Sequence, residues 1–179
     1  TAWLAYRMTG SGFWLGVITF AGQIPVSVVS PFGGLVADRR DRRKVIVATQ
    51  ALSMVQAFCL AYLFFTDSLT VGLLAGLEIF LGVVKGIDVP VRQAFVLDMV
   101  ENRDELHNAI ALNSSLFNGA RLVGPVVAGV LIARTGEGWC FLINGITFLA
   151  VLVSLMVMKV PRSARAEIKG ALVDLKEGV

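Results

Sequence analysis

Three long runs without a charged residue constrain this chain more than any other feature. Between Arg7 and Asp38 lie 30 consecutive residues lacking Asp, Glu, Lys and Arg, between Lys44 and Asp67 lie 22, and between Glu137 and Lys159 lie 21. Crossing ~30 Å of hydrocarbon at ~1.5 Å rise per residue takes ~20 helical residues, so each run is long enough to span a bilayer. Composition agrees: 16% of residues are charged and 56% are apolar, against about 25% charged in soluble domains. The 18 glycines suit helices that approach closely in lipid. The fold expected is an all-α polytopic membrane protein.

Five complete spans are expected, at about 13–37, 45–65, 69–97, 106–133 and 139–158, with 1–8 as the end of an earlier helix. Short polar turns separate them: TGSG, TDS, ENRDE and TGEG, whose residues favour tight connections. The opening TAWLAYRMTGSG reads as a helix already under way, so the chain is expected to be an excerpt of a longer protein. Residues 1–158 form the expected transmembrane bundle, and 159–179 the start of a cytoplasmic linker. In that tail Ile168, Leu172 and Leu175 share one face, which suits a helix lying on the inner leaflet.

Lysines and arginines orient the bundle. Five lie in 38–44, Arg103 follows the third span, and five more lie beyond Met158, whereas the opposite side holds only Arg7 and Arg134. Eleven against two places the 38–44 knot and the tail in the cytoplasm. The net charge of +3 therefore reports topology, and no nucleic-acid partner is expected. A faint repeat accompanies this: GLVADR (34–39) and GVLIAR (129–134) each end a span and each follow a proline. They would end on opposite sides, as in the inverted repeats of secondary transporters; chance resemblance is an equal reading.

Several chemistries find no motif. Cys59 and Cys140 have no metal-site spacing, and His107 is the only histidine, so neither a metal site nor a cofactor is expected. Neither a P-loop nor a GxSxG motif is present, so ATP drive and hydrolysis are not indicated and an enzyme is not expected.

The charged knot carries more than orientation. Gly34, Asp38, Arg39, Arg42, Arg43 and Lys44, in the pattern G-x-x-x-D-R-x-x-R-R-K, resemble the signature between the second and third helices of the major facilitator superfamily. One departure is Asp41, where that pattern usually has Gly. In physical terms Gly34 would permit close helix approach. Asp38, costly to bury alone, would pair with Arg42, with a neighbouring helix N-terminus, or with both. A bare topology anchor is the alternative. The stretch Ala120–Gly129, ARLVGPVVAG, resembles the Gly-Pro motif in the fifth helix of that superfamily's exporters and antiporters. Arg121, Gly124, Pro125 and Gly129 fall on it, with Ala120 and Ala128 replacing two glycines. Gly124-Pro125 would bend the helix and present a flat packing face; an ordinary kinked helix is the other reading.

GIDVPVRQAFVLDMV and NAIALNSSLFNGARLVGP together resemble the branch containing the enterobactin exporter and macrolide-efflux transporters. That resemblance implies the N-terminal half of a twelve-helix transporter in a bacterial inner membrane, with the five spans as helices two to six. It implies export of a small molecule, a siderophore or drug-like compound, by proton antiport and alternating access, completed by a C-terminal half. A non-transporting membrane scaffold or anchor is the competing reading.

Charged residues inside spans are the remaining candidates. Glu78, Lys85, Asp88 and Arg92 share one face of the third span. Glu78 would lie about 14 Å in from Leu69, near mid-membrane. Asp88 and Arg92 would form an i,i+4 pair near the cytoplasmic headgroups, and Lys85 would snorkel. Arg121 would sit about 20 Å from the outer face, at a depth similar to that of Glu78. The two are expected to pair, as a structural contact or as a proton or substrate site, with Glu78 the better candidate for proton exchange.

Overall fold

The computed structural model describes residues 1–98 and 103–158, and among these the ordered elements are six helices: α1 Ala2–Thr9, α2 Gly12–Arg39, α3 Arg42–Phe65, α4 Val71–Asp98, α5 Arg103–Thr135 and α6 Glu137–Val157. The expected spans coincide with α2 to α6 within a few residues. The inner-leaflet helix expected beyond Met158 lies outside the described residues, as do 99–102 of the connection before α5.

Local chemistry sets the ends. Gly10 closes α1 with φ +64°, and its N–H donates to the Tyr6 carbonyl at 2.7 Å, a left-handed cap that glycine adopts without penalty. The Ser11 hydroxyl caps α2 by accepting from the Phe13 N–H. Asp41 is the N-cap of α3, its Oδ1 accepting the Lys44 N–H at 3.3 Å. This accounts for Asp at that position: its φ of −65° makes no demand for glycine, and a carboxylate suits a helix N-terminus.

Four helices, α2, α3, α6 and the Ile110–Thr135 part of α5, are long and apolar enough to cross a membrane, with mean hydropathies of 1.6 to 2.4. α4 has the length, at 28 residues, but carries Glu78, Lys85, Asp88 and Arg92. The apolar residues that remain exposed, among them Phe13, Phe20, Phe32, Tyr62, Phe117 and Met156, clothe the outside as a lipid-facing surface requires. This is a multi-pass membrane protein.

α3 is the centre of the bundle: 44% of its most apolar window is buried, against 11% or less in the other three. It packs on α4 and α6, while α2 packs on α4. The α2–α4 contact is parallel and built on small residues. A Cβ on Gly82 would collide with the Gly22 carbonyl oxygen, and one on Gly33 would lie 2.6 Å from both the Gly86 carbonyl oxygen and Pro90 Cγ. Gly34, expected to make the close approach, meets nothing within 4 Å. The contact positions 22, 29 and 33 advance at helical spacing, which turns Gly34 about 100° away from them. α3 and α6 run antiparallel, with Gly138 under Phe64 and Phe65 and Gly145 under Phe58. Edge-on aromatic pairs, Phe64–Phe141 and Phe65–Trp139, finish that contact.

α5 stands apart. It packs mainly on α6 and lightly on α4, and every side chain from Ile110 to Val130 is exposed. The face expected at Gly124 and Gly129 is open, with nothing within 4 Å of either.

Candidate functional site: charged nodes at the two ends and in the middle of the bundle

At the end of the bundle holding the knot, two arginines from the first turn of α3 reach the terminal carbonyls of other helices. Arg42 donates from Nε to the Ala37 carbonyl at 3.1 Å and from Nη1 to the Ala94 carbonyl at 2.9 Å. Arg43 donates from Nε and Nη2 to the Leu155 carbonyl at 3.0 and 2.6 Å, and from Nη2 to the Met156 carbonyl at 3.0 Å. Ala37, Leu155 and Met156 lie in last helical turns, whose carbonyls lack intrahelical partners, and Ala94 lies one residue further into α4; all sit at the negative end of a helix dipole, where a guanidinium is favourable. The expected Asp38–Arg42 pair forms at 3.9 Å, with the Asp38 side chain 76% exposed. The knot thus ties α3 to backbone carbonyls of α2, α4 and α6; Arg39 is exposed.

The second node lies about 15 Å inside that end, ten residues before Asp98. Asp88 accepts from Thr49 Oγ1 at 2.5 Å and Gln50 Nε2 at 3.0 Å on one oxygen, and from Arg92 Nε and Nη2 at 3.2 and 2.7 Å on the other. The Asp88–Arg92 pair was expected in the headgroups, where it is cheap. Instead Asp88 is 7% exposed, because α3 covers it, and four donors balance its charge as burial demands. Sequence reading missed the α3 side of the node. Thr49, Gln50, Ser53 and Gln56 are all buried and recur at helical spacing in a span without charges, which was the available signal. Gln56 Nε2 has no hydrogen-bond partner among the described residues.

Glu78 is half-buried and faces α2, where a Cβ on Gly22 would lie 3.2 Å from its Oε2. It lines a cavity of about 190 Å³ between α2 and α4 together with Thr19, Gly22, Gln23, Gly82 and Lys85. Arg121 is exposed on α5, and among the described residues no ion pair joins it to Glu78. The expected pairing is therefore not made: similar depth on consecutive spans, within about a turn, does not bring side chains together when the helices scarcely touch.

An ion pair at the opposite end was not foreseen. Arg7 of α1 places Nη1 2.8 Å from both carboxylate oxygens of Glu137, the first residue of α6, with its hydrogen bond directed at Oε2. Glu137 is 4% exposed, while the Arg7 side chain is 56% exposed. Both charges lie at span ends on the same side, a hint that loop charge counting passes over. No cluster of metal-ligating side chains occurs among the described residues.

A family model described as transmembrane secretion effector, of the MFS type, matches residues 1–174. The chain belongs to the major facilitator superfamily. Relatives in this superfamily include the staphyloferrin A transporter of Staphylococcus aureus, 25% identical over 90% of this chain and 42% of its own length. The multidrug efflux pump Tap of Mycolicibacterium fortuitum is 26% identical over 75% of the chain and 34% of its own. YfiS of Bacillus subtilis, an uncharacterised transporter of the superfamily, is 24% identical over 98% and 42%. The chain thus spans less than half the length of these relatives. No solved structure matches it.

Proposed function

We propose that this chain is the N-terminal helical bundle of a secondary active transporter that exports a small molecule in exchange for protons by alternating access. A second helical bundle, supplied by sequence outside these residues, would complete it. The observation that carries the reading is the Arg42–Arg43 clamp on the carbonyl ends of α2, α4 and α6, in a chain of the major facilitator superfamily. A clamp made at one end of a bundle is suited to hold one face closed and to release when the bundles rock. Two relatives, a staphyloferrin A transporter and a multidrug efflux pump, support a small-molecule cargo. Glu78 is the residue assigned to proton exchange, since it is a carboxylate within a span that lines a cavity between α2 and α4 together with Lys85. Asp38, Arg42 and Arg43 form the gate, and 159–179 begins the linker to the second bundle.

The test is efflux from proteoliposomes holding the full-length protein, with an imposed pH gradient and a panel of siderophores and drug-like compounds. Uphill movement of a compound that stops when the gradient is collapsed supports the reading. Absence of transport across the panel, with the protein correctly folded, leaves a scaffold and overturns it.

A further inference from the structure

Resting on the transport reading above, we propose that the face of α5 bearing Ser114, Asn118 and Arg121 is a subsite for a carboxylate group of the transported compound. The three residues stand at i, i+4 and i+7, so they share one narrow face over two turns. Arg121 lies 14 residues from the end of α5 at Thr135, about 20 Å at ~1.5 Å per residue, too deep for its guanidinium to reach an interface with ease. Arginine stays charged at any ordinary pH, and a charge at this depth needs an anion or water. Among the described residues no carboxylate pairs with it. Glu78 is turned to Gly22 of α2, Asp88 is saturated by Thr49, Gln50 and Arg92, and Glu137 is taken by Arg7 at the far end. All three members of the face are exposed, as is every side chain from Ile110 to Val130; what marks this face is that it carries a charge and two hydrogen-bonding side chains in register.

The chemistry selects the ligand. The planar guanidinium presents parallel N–H donors that match the two oxygens of a carboxylate, and such bidentate, charge-assisted bonds are the strong ones. The Asn118 amide and Ser114 hydroxyl add donors one and two turns away, enough to occupy remaining lone pairs or a neighbouring hydroxyl. A carboxylate could also come from the part of the protein beyond these residues, and the experiment separates the two sources.

Binding to the full-length protein in nanodiscs is measured with citrate and salicylate, each beside its neutral counterpart, triethyl citrate and salicylamide. At least one acid is expected to bind at least tenfold more tightly than its neutral counterpart. Arg121→Gln should weaken that acid at least tenfold, Arg121→Lys less, and neither should alter binding of the neutral compound. Equal affinities for acids and neutral counterparts, or an unchanged acid affinity in Arg121→Gln, overturns the subsite. So does a fall in melting temperature of Arg121→Gln with acid binding intact, which marks a structural partner elsewhere in the protein. Proton-driven efflux of uncharged or cationic compounds by a protein that ignores both acids defeats the subsite alone, whereas absence of all efflux defeats the transport reading.

Discussion

Arg43 and Leu155 are 112 residues apart, yet the guanidinium of one holds the carbonyl of the other by two hydrogen bonds, at 2.6 and 3.0 Å. A third bond, to Met156, completes the hold on α6. Arg43→Met keeps much of the side chain's bulk and removes all three. Net hydrogen bonds from charged groups contribute about 1.5–3 kcal/mol, and the half-exposed setting favours the lower figure for the set. Thermal unfolding in detergent should show a lower midpoint, with Arg43→Lys in between; an unchanged midpoint would show the clamp to be energetically idle.

Asp38→Asn is expected to reduce transport while leaving membrane insertion and the bundle's melting temperature close to wild type, since the Asp38 side chain is 76% exposed and exposed ion pairs contribute little to stability. A cysteine at position 41 should react with a membrane-impermeant thiol reagent only from the cytoplasmic side. Labelling from outside intact cells would reverse the orientation.

The Arg7–Glu137 pair joins a buried carboxylate to a half-exposed guanidinium. Removing Arg7 strands Glu137, and breaking a fully buried pair costs about 3–5 kcal/mol; exposure of Arg7 reduces this to about 1–2. Arg7→Met should therefore destabilise more than the double variant Arg7→Met/Glu137→Leu. A thermodynamic cycle with no coupling between the two positions would contradict the geometry.

Neighbouring glycines should respond in opposite ways. Gly33→Leu drives bulk into the Gly86 backbone and Pro90, where overpacking costs about 1–3 kcal/mol or more, and the folded yield should fall. Gly34→Leu should accumulate normally. Gly124→Leu, on an open face of α5, should also fold as a bundle but lose or uncouple export in the full-length protein; full coupled export would show that face to meet only lipid.

Glu78→Gln should abolish the dependence of export on the proton gradient while leaving substrate binding in place. An unchanged pH profile in transport assays would move the proton site elsewhere.

The spans α2, α3 and α6 were legible because hydrocarbon thickness sets a length that their uncharged runs meet, whereas α4 and α5, which carry charges, were legible from the polar turns that flank them. The knot was legible because Gly34, Asp38 and the arginines keep a fixed spacing. What escaped was rotation about the helix axes. Periodicity placed Glu78 and Arg121 at similar depth but could not say that Glu78 faces Gly22 while α5 stands off. It likewise put the close approach at Gly34 rather than Gly33, one residue and about 100° away. The Asp88 node was half legible: the i,i+4 partner Arg92 is local, whereas Thr49 and Gln50 come from α3, 39 and 38 residues away.

The fastening of α6 has a mechanical consequence. It is pinned at one tip by Arg7, at the other by Arg43, and seated between them on Phe58, Phe64 and Phe65 through Gly145 and Gly138. A beam held at both tips and along its length does not bend independently of its support, so α3 and α6 form one stiff plank. Among the described residues the helix-interior prolines fall elsewhere, Pro25 and Pro31 in α2, Pro90 in α4 and Pro125 in α5. Each removes a backbone hydrogen bond and leaves a compliant point. Compliance and stiffness are thus segregated by helix: load applied to this bundle is taken up as flexure of α2, α4 and α5 against a plank that keeps its shape.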